Sequence, residues 1–210
     1  MMKYLFYDFV KITAALPGLI AFRPKILYEN EEAKKKIKGG ALIIANHITL
    51  IDPIHVMTAV WYRRHRFICT KDFFEQKIAK HFFKGFRCIP IDKENMGMDS
   101  FNAIVKCLKD GELVSMFPEG KVSKDSSVVD TFKSGMILMA VRGRTPIIPI
   151  YIKKRKSILE RQVTVIGEPV HVETMFKGMP SMKDIEEVSN QLHNKEEELK
   201  NYANRNKRGV

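Results

Sequence analysis

A histidine and an aspartate separated by four residues are the first feature of the sequence that could do chemistry. His47 and Asp52 stand in the segment 46–52, directly after the apolar run 41–45. A loop of this length can fold back so that the Asp52 carboxylate meets one imidazole nitrogen of His47, which fixes the tautomer and stabilises the imidazolium. The other nitrogen would then take a proton from a substrate. The pair therefore predicts general-base catalysis, with Asp52 as the orienting group.

The sequence provides no clear protein nucleophile to accompany this base. It has no Gly-x-Ser-x-Gly turn, and its cysteines (Cys69, Cys88 and Cys107) each fall inside a predicted strand or helix. We therefore expect the nucleophile to belong to the substrate. A structural interpretation stays open for each residue taken singly, because Asp52 before Pro53 also fits a helix N-cap and Asn46 fits a turn.

A tight turn after a second apolar run adds a further carboxylate. The Pro-Gly pair of this turn would hold Glu119 at the edge of a sheet, where it is either solvated or organises a ligand. The turn consists of Phe117, Pro118, Glu119 and Gly120.

Basic residues near two other predicted elements would suit an anion. Lys133 stands close to a helix start, where backbone N–H groups favour negative charge, and Ser134 and Gly135 follow it. Arg87 and Lys93 bracket a short strand. The alternative for all three cations is a solvated surface charge, which is the usual state of Lys and Arg.

The elements that must position these residues alternate along the chain. Strands are predicted at 41–45, 66–70, 88–91, 113–117, 147–153 and 162–166, and helices at 53–64, 72–84, 98–109, 131–142 and about 182–206. This alternation predicts an α/β fold with a mostly parallel sheet flanked by helices, ending in an amphipathic C-terminal helix. Functional loops gather at the carboxyl ends of strands in such sheets.

The N-terminal stretch 4–22 is strongly apolar but shorter than a membrane-spanning helix, and Pro17 is expected to break a helix there. Two interpretations stay open: a helix that lies on a membrane surface beside nearby lysines and arginines, or a helix that packs on the core. We divide the chain into an N-terminal membrane-associating helical segment, 1–37, and a domain that carries the motifs, 38–210.

Composition narrows the class of protein and the kind of partner. The chain has 210 residues, of which 45% are hydrophobic, so it is long enough for one domain with a real core. Its net charge of +12 suggests an anionic partner, either nucleic acid, an anionic membrane or a phosphorylated substrate. Three cysteines without a CxxC pair argue against a disulfide scaffold and a four-cysteine zinc site, and we expect no metal.

Taken together and in this order, the motifs resemble those of the glycerolipid acyltransferase family, the PlsC-like 1-acylglycerol-3-phosphate O-acyltransferases. Asn46, His47 and Asp52 match its N-H-x4-D block in full, residues 117–120 match F-P-E-G, and residues 132–135 match F-K-x-G. The chain departs from the pattern at Lys93, which replaces the usual arginine, and at Val122, because residues 121–123 after F-P-E-G keep the usual serine but not the arginine. The resemblance covers about residues 38–170.

The resemblance implies transfer of a fatty acyl group from acyl-CoA or acyl-carrier protein to the hydroxyl of lysophosphatidic acid, giving phosphatidic acid without an acyl-enzyme or a cofactor. His47 would be the base and Asp52 its orienting partner, and Asn46 or N–H groups of the motif loop would stabilise the oxyanion. Phosphate would be held by Lys93, Lys133 and Arg87, and the glycerol-phosphate pocket shaped by Glu119 and Gly120.

The same resemblance implies where the protein works. An apolar tunnel with Met136 and Met139 would hold the acyl chain, and the protein would lie on the cytoplasmic face of an anionic membrane as a peripheral or monotopic enzyme. Other lysophospholipids or glycerol-3-phosphate stay open as acceptors. Two other function classes also stay open: a basic RNA- or membrane-binding module, and a hydrolase that uses water as the nucleophile. The sequence has no RNA-recognition signature, so we expect no nucleic acid as partner.

Overall fold

A computed structural model describes residues 4–92, 97–118, 135–157, 159–176 and 178–206 of the chain. In these residues the strands are β1 (Lys25–Tyr28), β2 (Ala41–Ala45), β3 (His65–Thr70), β4 (Ile89–Ile91), β5 (Leu113–Met116), β6 (Ile147–Ile152) and β7 (Val163–Ile166). The helices are α1 (Leu5–Phe22), α2 (Asp52–Ala59), α3 (Asp72–Glu75), α4 (Lys77–Gly85), α5 (Met98–Lys109), α6 (Gly135–Gly143), α7 (Val172–Met175) and α8 (Met182–Arg205).

The described strands form one sheet in the order β1-β7-β6-β2-β5-β3-β4. Neighbouring strands are parallel except β6 and β7, which are antiparallel. The predicted fold class, a mostly parallel sheet flanked by helices, is therefore confirmed. Each predicted strand is present, with ends that differ by at most one residue from those expected. Since β2 lies between β6 and β5, the loop that follows it is flanked by the loops that follow those two strands.

The alternation of side chains along β2 separates two hydrophobic layers. Leu42 and Ile44 face the layer formed with α5, α6 and α8, whereas Ala41, Ile43 and Ala45 face the layer formed with α2. All five are buried because helices cover both faces of the sheet, which is why a continuous apolar run predicted this strand.

Helix α1 lies on the same face of the sheet as α2. The Tyr7 hydroxyl accepts a hydrogen bond from the backbone N–H of His65 at 3.1 Å, and the Phe22 ring meets the His55 ring edge-on. The outer side of α1 is apolar and exposed at Leu5, Phe9, Ile12, Leu19 and Ile20. Among the described residues, no helix combines the length and the hydropathy needed to cross a bilayer.

Two expectations for the N-terminal segment need correction. Helix α1 continues through Pro17, because its contacts with the rest of the protein, at Tyr7 near one end and Phe22 at the other, compensate for the hydrogen bond that proline removes. Residues 25–28, assigned above to a helical segment, form the edge strand β1 and pair in parallel with β7. The segment 1–37 is thus a helix followed by a strand of the main sheet.

A glycine permits the close packing of β2 against α5. A Cβ atom on Gly40, which directly precedes β2, would lie 2.1 Å from the backbone oxygen of Leu108. No side chain fits at that distance from backbone, so this position requires glycine. The contact fixes the start of the strand whose other end carries the 46–52 loop.

Candidate functional site

Asn46 anchors the start of the candidate catalytic loop to the neighbouring strand. Its side-chain amide donates to the backbone oxygen of Ile152 at 3.0 Å, and its side-chain oxygen accepts from the backbone N–H of the same residue at 2.7 Å. The side chain thereby continues the ladder between β2 and β6 by one step beyond their last backbone pair. This buried contact determines where His47, the next residue, leaves the sheet.

Asp52 is the centre of the loop that follows. One carboxylate oxygen, Oδ2, lies 2.9 Å from His47 Nδ1 and accepts the backbone N–H groups of Ile48 at 2.6 Å and Thr49 at 2.7 Å. The other, Oδ1, accepts the Thr49 hydroxyl at 2.6 Å. The residue is fully buried, and these four contacts replace the water that a buried carboxylate loses. The predicted meeting of His47 and Asp52 is present.

His47 is held on a second side by an aromatic ring. Its imidazole stacks on Phe117, with ring centroids 4.2 Å apart and planes 20° from parallel. Its side chain is 17% exposed. Because Nδ1–H donates to the Asp52 carboxylate, the neutral ring carries its lone pair on Nε2. The arrangement can therefore accept a proton at Nε2 and balance the resulting imidazolium with a fixed negative charge.

The structure corrects the alternative interpretation of Asp52 as a helix N-cap. Asp52 is the first residue of α2, the N-cap position is Ile51, and no side chain caps that end. Its carboxylate turns back over the loop because four donors of the loop converge there. The helix start serves to place the carboxylate under His47.

Thr49 is a site residue that the motif alone did not indicate. Thr49 and Asp52 stand three residues apart, in the Ser/Thr-x-x-Asp/Glu pattern of a capping box. Here the pattern closes the loop before the helix, since both the hydroxyl and the N–H of Thr49 bind Asp52. That pattern could have identified Thr49 from the sequence.

Three of the donors expected to stabilise an oxyanion have other partners in the structure. The N–H groups of Ile48 and Thr49 donate to Asp52, and the Asn46 amide binds Ile152. These three residues therefore position the His47–Asp52 pair.

The remaining predicted site residues fall into three groups. Pro118 is buried directly after Phe117, and Gly135 is the first residue of α6.

Arg87 precedes β4, so its backbone is at the opposite edge of the parallel sheet from His47. Its guanidinium is 3.3 Å from the Glu112 carboxylate and stacks over Tyr4. The structure does not bring Arg87 to His47. Lying outside the described residues are Lys93, Glu119, Gly120, Lys133 and Ser134.

Comparison with known proteins agrees with the motif resemblance. The family model described as Acyltransferase matches residues 25–153. A 1-acyl-sn-glycerol-3-phosphate acyltransferase of Bacillus subtilis is 27% identical over 193 residues, which cover 89% of this chain and 94% of the relative. A protein of the same name from Streptococcus pneumoniae is 26% identical and is covered to 68% of its length by an alignment over 84% of this chain.

A solved structure has the same fold. The crystal structure of the 1-acyl-sn-glycerophosphate acyltransferase PlsC from Thermotoga maritima superposes with a TM-score of 0.63 at 19% identity, over 94% of this chain and 80% of that one. The family model includes both the loop with His47 and Asp52 and the strand β1 that begins at Lys25. The chain belongs to the acyltransferase family.

Proposed function

We propose that the protein transfers a fatty acyl group from an acyl thioester to the free hydroxyl of lysophosphatidic acid and so produces phosphatidic acid. The observation that carries the proposal is the 2.9 Å contact between His47 Nδ1 and the buried Asp52 carboxylate. Two relatives named for this activity align over most of the chain and support the choice of acceptor. Acyl-CoA and acyl-carrier protein both have the required thioester.

The reaction follows from the orientation of the imidazole. His47 Nε2 takes the proton of the acceptor hydroxyl while the hydroxyl oxygen attacks the thioester carbonyl carbon. A C–O bond forms, the C–S bond breaks, and the departing thiolate receives the proton from the imidazolium. Asp52 stabilises that cation throughout, so the protein needs no covalent intermediate and no cofactor of its own.

The acceptor is proposed to lie on the side of His47 toward β5, β3 and β4. Phe117 is packed against His47 on that side. Along the chain Lys93 follows Asp92, directly after β4, and Glu119 and Gly120 follow Pro118. We assign phosphate binding to Lys93 and Lys133 on the family resemblance.

The protein is proposed to work on the cytoplasmic face of an anionic membrane, as a peripheral or monotopic enzyme. The support is the exposed apolar side of α1, the adjacent Trp61, which is 68% exposed, and the net charge of +12. A lysophospholipid acceptor reaches such a surface within the bilayer leaflet.

The membrane assignment is tested with vesicles. The double variant Phe9→Glu/Ile12→Glu should bind vesicles of anionic phospholipid at least about tenfold more weakly than the unaltered protein. The matched control, Met98→Glu/Met182→Glu, makes the same change of charge at exposed apolar residues of α5 and α8, on the other face of the sheet. Equal binding of the two double variants would refute the role of α1.

The reaction class is tested by supplying labelled acyl-CoA and labelled acyl-carrier protein, each with lysophosphatidic acid in detergent micelles. We expect labelled phosphatidic acid from at least one donor. Release of free fatty acid without an acceptor would instead identify a hydrolase. If neither donor reacts with lysophosphatidic acid, another lysophospholipid or glycerol-3-phosphate, and RNA binds with a steep salt dependence, the binding-module interpretation replaces the enzyme.

A further inference from the structure

A cavity of about 350 Å³ lies behind the catalytic loop, on the side away from Phe117. One wall is the loop itself, with Ile48, Thr49 and Asp52, and the opposite wall is the chain that leaves β6. The two walls are adjacent because β6 is the neighbour of β2, and the Asn46–Ile152 hydrogen bonds join them. The cavity is therefore part of the same edge of the sheet as His47, which does not line it.

The wall contributed by the chain after β6 is strongly basic. It reads Lys153-Lys154-Arg155-Lys156, four consecutive cations that belong to none of the family motifs. The Lys153 side chain is buried and reaches the backbone oxygen of Ala203, and Arg155 stacks over Phe22 and binds the backbone oxygen of Ala21. These two residues hold α8 and α1. Lys154 and Lys156 are exposed at the cavity.

The acidic and titratable groups at the cavity leave its charge positive. Asp52 is satisfied by four contacts of its own loop. His55 lies at the cavity too, and burial lowers its pKa from 6.5, so the ring is neutral at physiological pH. On the outer side, Glu160 accepts the backbone N–H of Lys156 and closes the turn. The four cations of residues 153–156 outnumber the two carboxylates, Asp52 and Glu160, so the charge beside the catalytic loop is net positive.

The position of the cavity matches one part of the substrates. Coenzyme A and acyl-carrier protein both link the thioester sulfur, through a long pantetheine arm, to a phosphate. Because the arm separates the phosphate from the sulfur, the donor phosphate must lie at some distance from His47 while the thioester is beside it. The phosphate of the acceptor is assigned to the other side of His47. Two phosphate-bearing substrates that react at one histidine need two separate cationic ends.

We infer that this cavity binds the phosphopantetheine end of the acyl donor, with Lys154 and Lys156 as the phosphate-binding residues. This inference rests on the proposed function. The charges of both lysines are exposed, so they act as electrostatic anchors and contribute to donor affinity rather than to the chemical step.

The test measures donor and acceptor kinetics separately on the full chain. For Lys154→Glu/Lys156→Glu we expect the KM for the donor to rise about tenfold or more, with the KM for lysophosphatidic acid within about twofold of the original. Lys154→Gln/Lys156→Gln should give an intermediate rise. The control, Lys109→Glu/Lys183→Glu, makes the same charge change at exposed lysines of α5 and α8 and should leave both KM values unchanged.

A second measurement reports on the phosphate itself. Free coenzyme A should inhibit the unaltered protein more strongly than pantetheine, which lacks phosphate, and the Lys154→Glu/Lys156→Glu variant should lose this difference. Acyl-CoA and acyl-carrier protein are assayed in separate arms, and a KM increase confined to one arm identifies that carrier as the ligand.

The possible outcomes distinguish a failure of the cavity assignment from a failure of the proposed function. If the unaltered protein turns over and the donor KM of the variant is unchanged, the cavity assignment is overturned and the proposed function stands. A fall in vesicle binding with unchanged donor KM would likewise overturn it and assign the lysines to the membrane surface. If the unaltered protein transfers no acyl group from any donor, the proposed function itself fails.

Discussion

The Asp52 carboxylate binds Nδ1 of His47 with the same oxygen that accepts the N–H groups of Ile48 and Thr49. One atom thus fixes both the fold of the loop and the tautomer of His47. Because Asp52 is fully buried, its carboxylate is held by donors of the protein and is not exposed to solvent. A change at this residue should therefore affect catalysis and stability together.

Asp52→Asn should lower kcat on the order of a thousandfold and also lower the melting temperature. The amide has a single acceptor oxygen, so it cannot serve the four donors that the carboxylate serves, and it does not balance an imidazolium. The measurement is acyl transfer together with thermal unfolding. Asp99→Asn, at an exposed residue of α5, is the control for loss of one negative charge. Full activity of Asp52→Asn would remove the charge-balancing role.

Thr49→Val should have a smaller effect of the same kind. It removes the 2.6 Å hydroxyl contact to Oδ1 but keeps the backbone N–H contact to Oδ2. We expect the free energy of unfolding to fall by about 1 to 2 kcal/mol and kcat to fall roughly tenfold. Thr49→Ser, which keeps the hydroxyl, should restore most of both. A Ser variant as impaired as the Val variant would contradict this assignment.

Gly40→Ala should destabilise the fold by about 3 kcal/mol or prevent folding, because its methyl group would meet the Leu108 backbone oxygen. Gly178→Ala is the matched control, since no described heavy atom lies within 4 Å of a Cβ there. Chemical denaturation of both variants measures the difference. A stability loss no greater in Gly40→Ala than in Gly178→Ala would show that the strand start can shift.

His65 should make stability depend on pH. Nδ1 lies 2.9 Å from the Ser115 hydroxyl and Nε2 lies 3.2 Å from the Val60 oxygen, and burial lowers the pKa of the ring from 6.5 to about 4. Between those values the unfolded chain binds a proton that the folded protein does not, so stability falls as pH falls. From this residue we expect a loss of up to about 3 kcal/mol between neutral pH and pH about 4.

The variant His65→Gln tests the source of that slope. It should reduce the dependence of the unfolding free energy on pH, whatever its effect at neutral pH. Part of the slope remains through His55, whose pKa is also lowered by burial. His171→Gln, at a histidine side chain that is 59% exposed, should keep the full slope. Identical slopes for the two variants would refute the assignment to His65.

The sequence predicted the strands well because helices cover both faces of the sheet. Strands such as β2 and β6 are buried at every position and appear as uninterrupted apolar runs. The edge strand β1 was missed because all four of its residues are only half-buried and follow an apolar helix directly. Pro17 was misjudged because a local rule for helix breaking does not include the contacts that α1 makes at both ends.

The site was predicted as far as residue types and the order of motifs allow. The His47–Asp52 contact follows from loop length, but the engagement of Asn46 with β6 depends on which strand is its neighbour. For Arg87, spacing along the sequence did not indicate at which edge of the sheet the residue lies. A residue that precedes a parallel strand lies at the edge opposite to one that follows a strand, so the guanidinium meets Glu112 and Tyr4 instead of a substrate phosphate.

The central claim is that His47 is the base, and comparison of His47→Ala with His171→Ala tests it most directly. Both remove one histidine. His171→Ala should melt close to the unaltered protein because His171 is exposed, whereas His47→Ala, which removes one of the four donors to Asp52, should stay folded with a stability loss similar to that of Thr49→Val. We predict that His47→Ala lowers transfer to lysophosphatidic acid about a thousandfold or more and that His171→Ala leaves it unchanged. Transfer by a folded His47→Ala at a rate within about tenfold of the unaltered protein would contradict the mechanism.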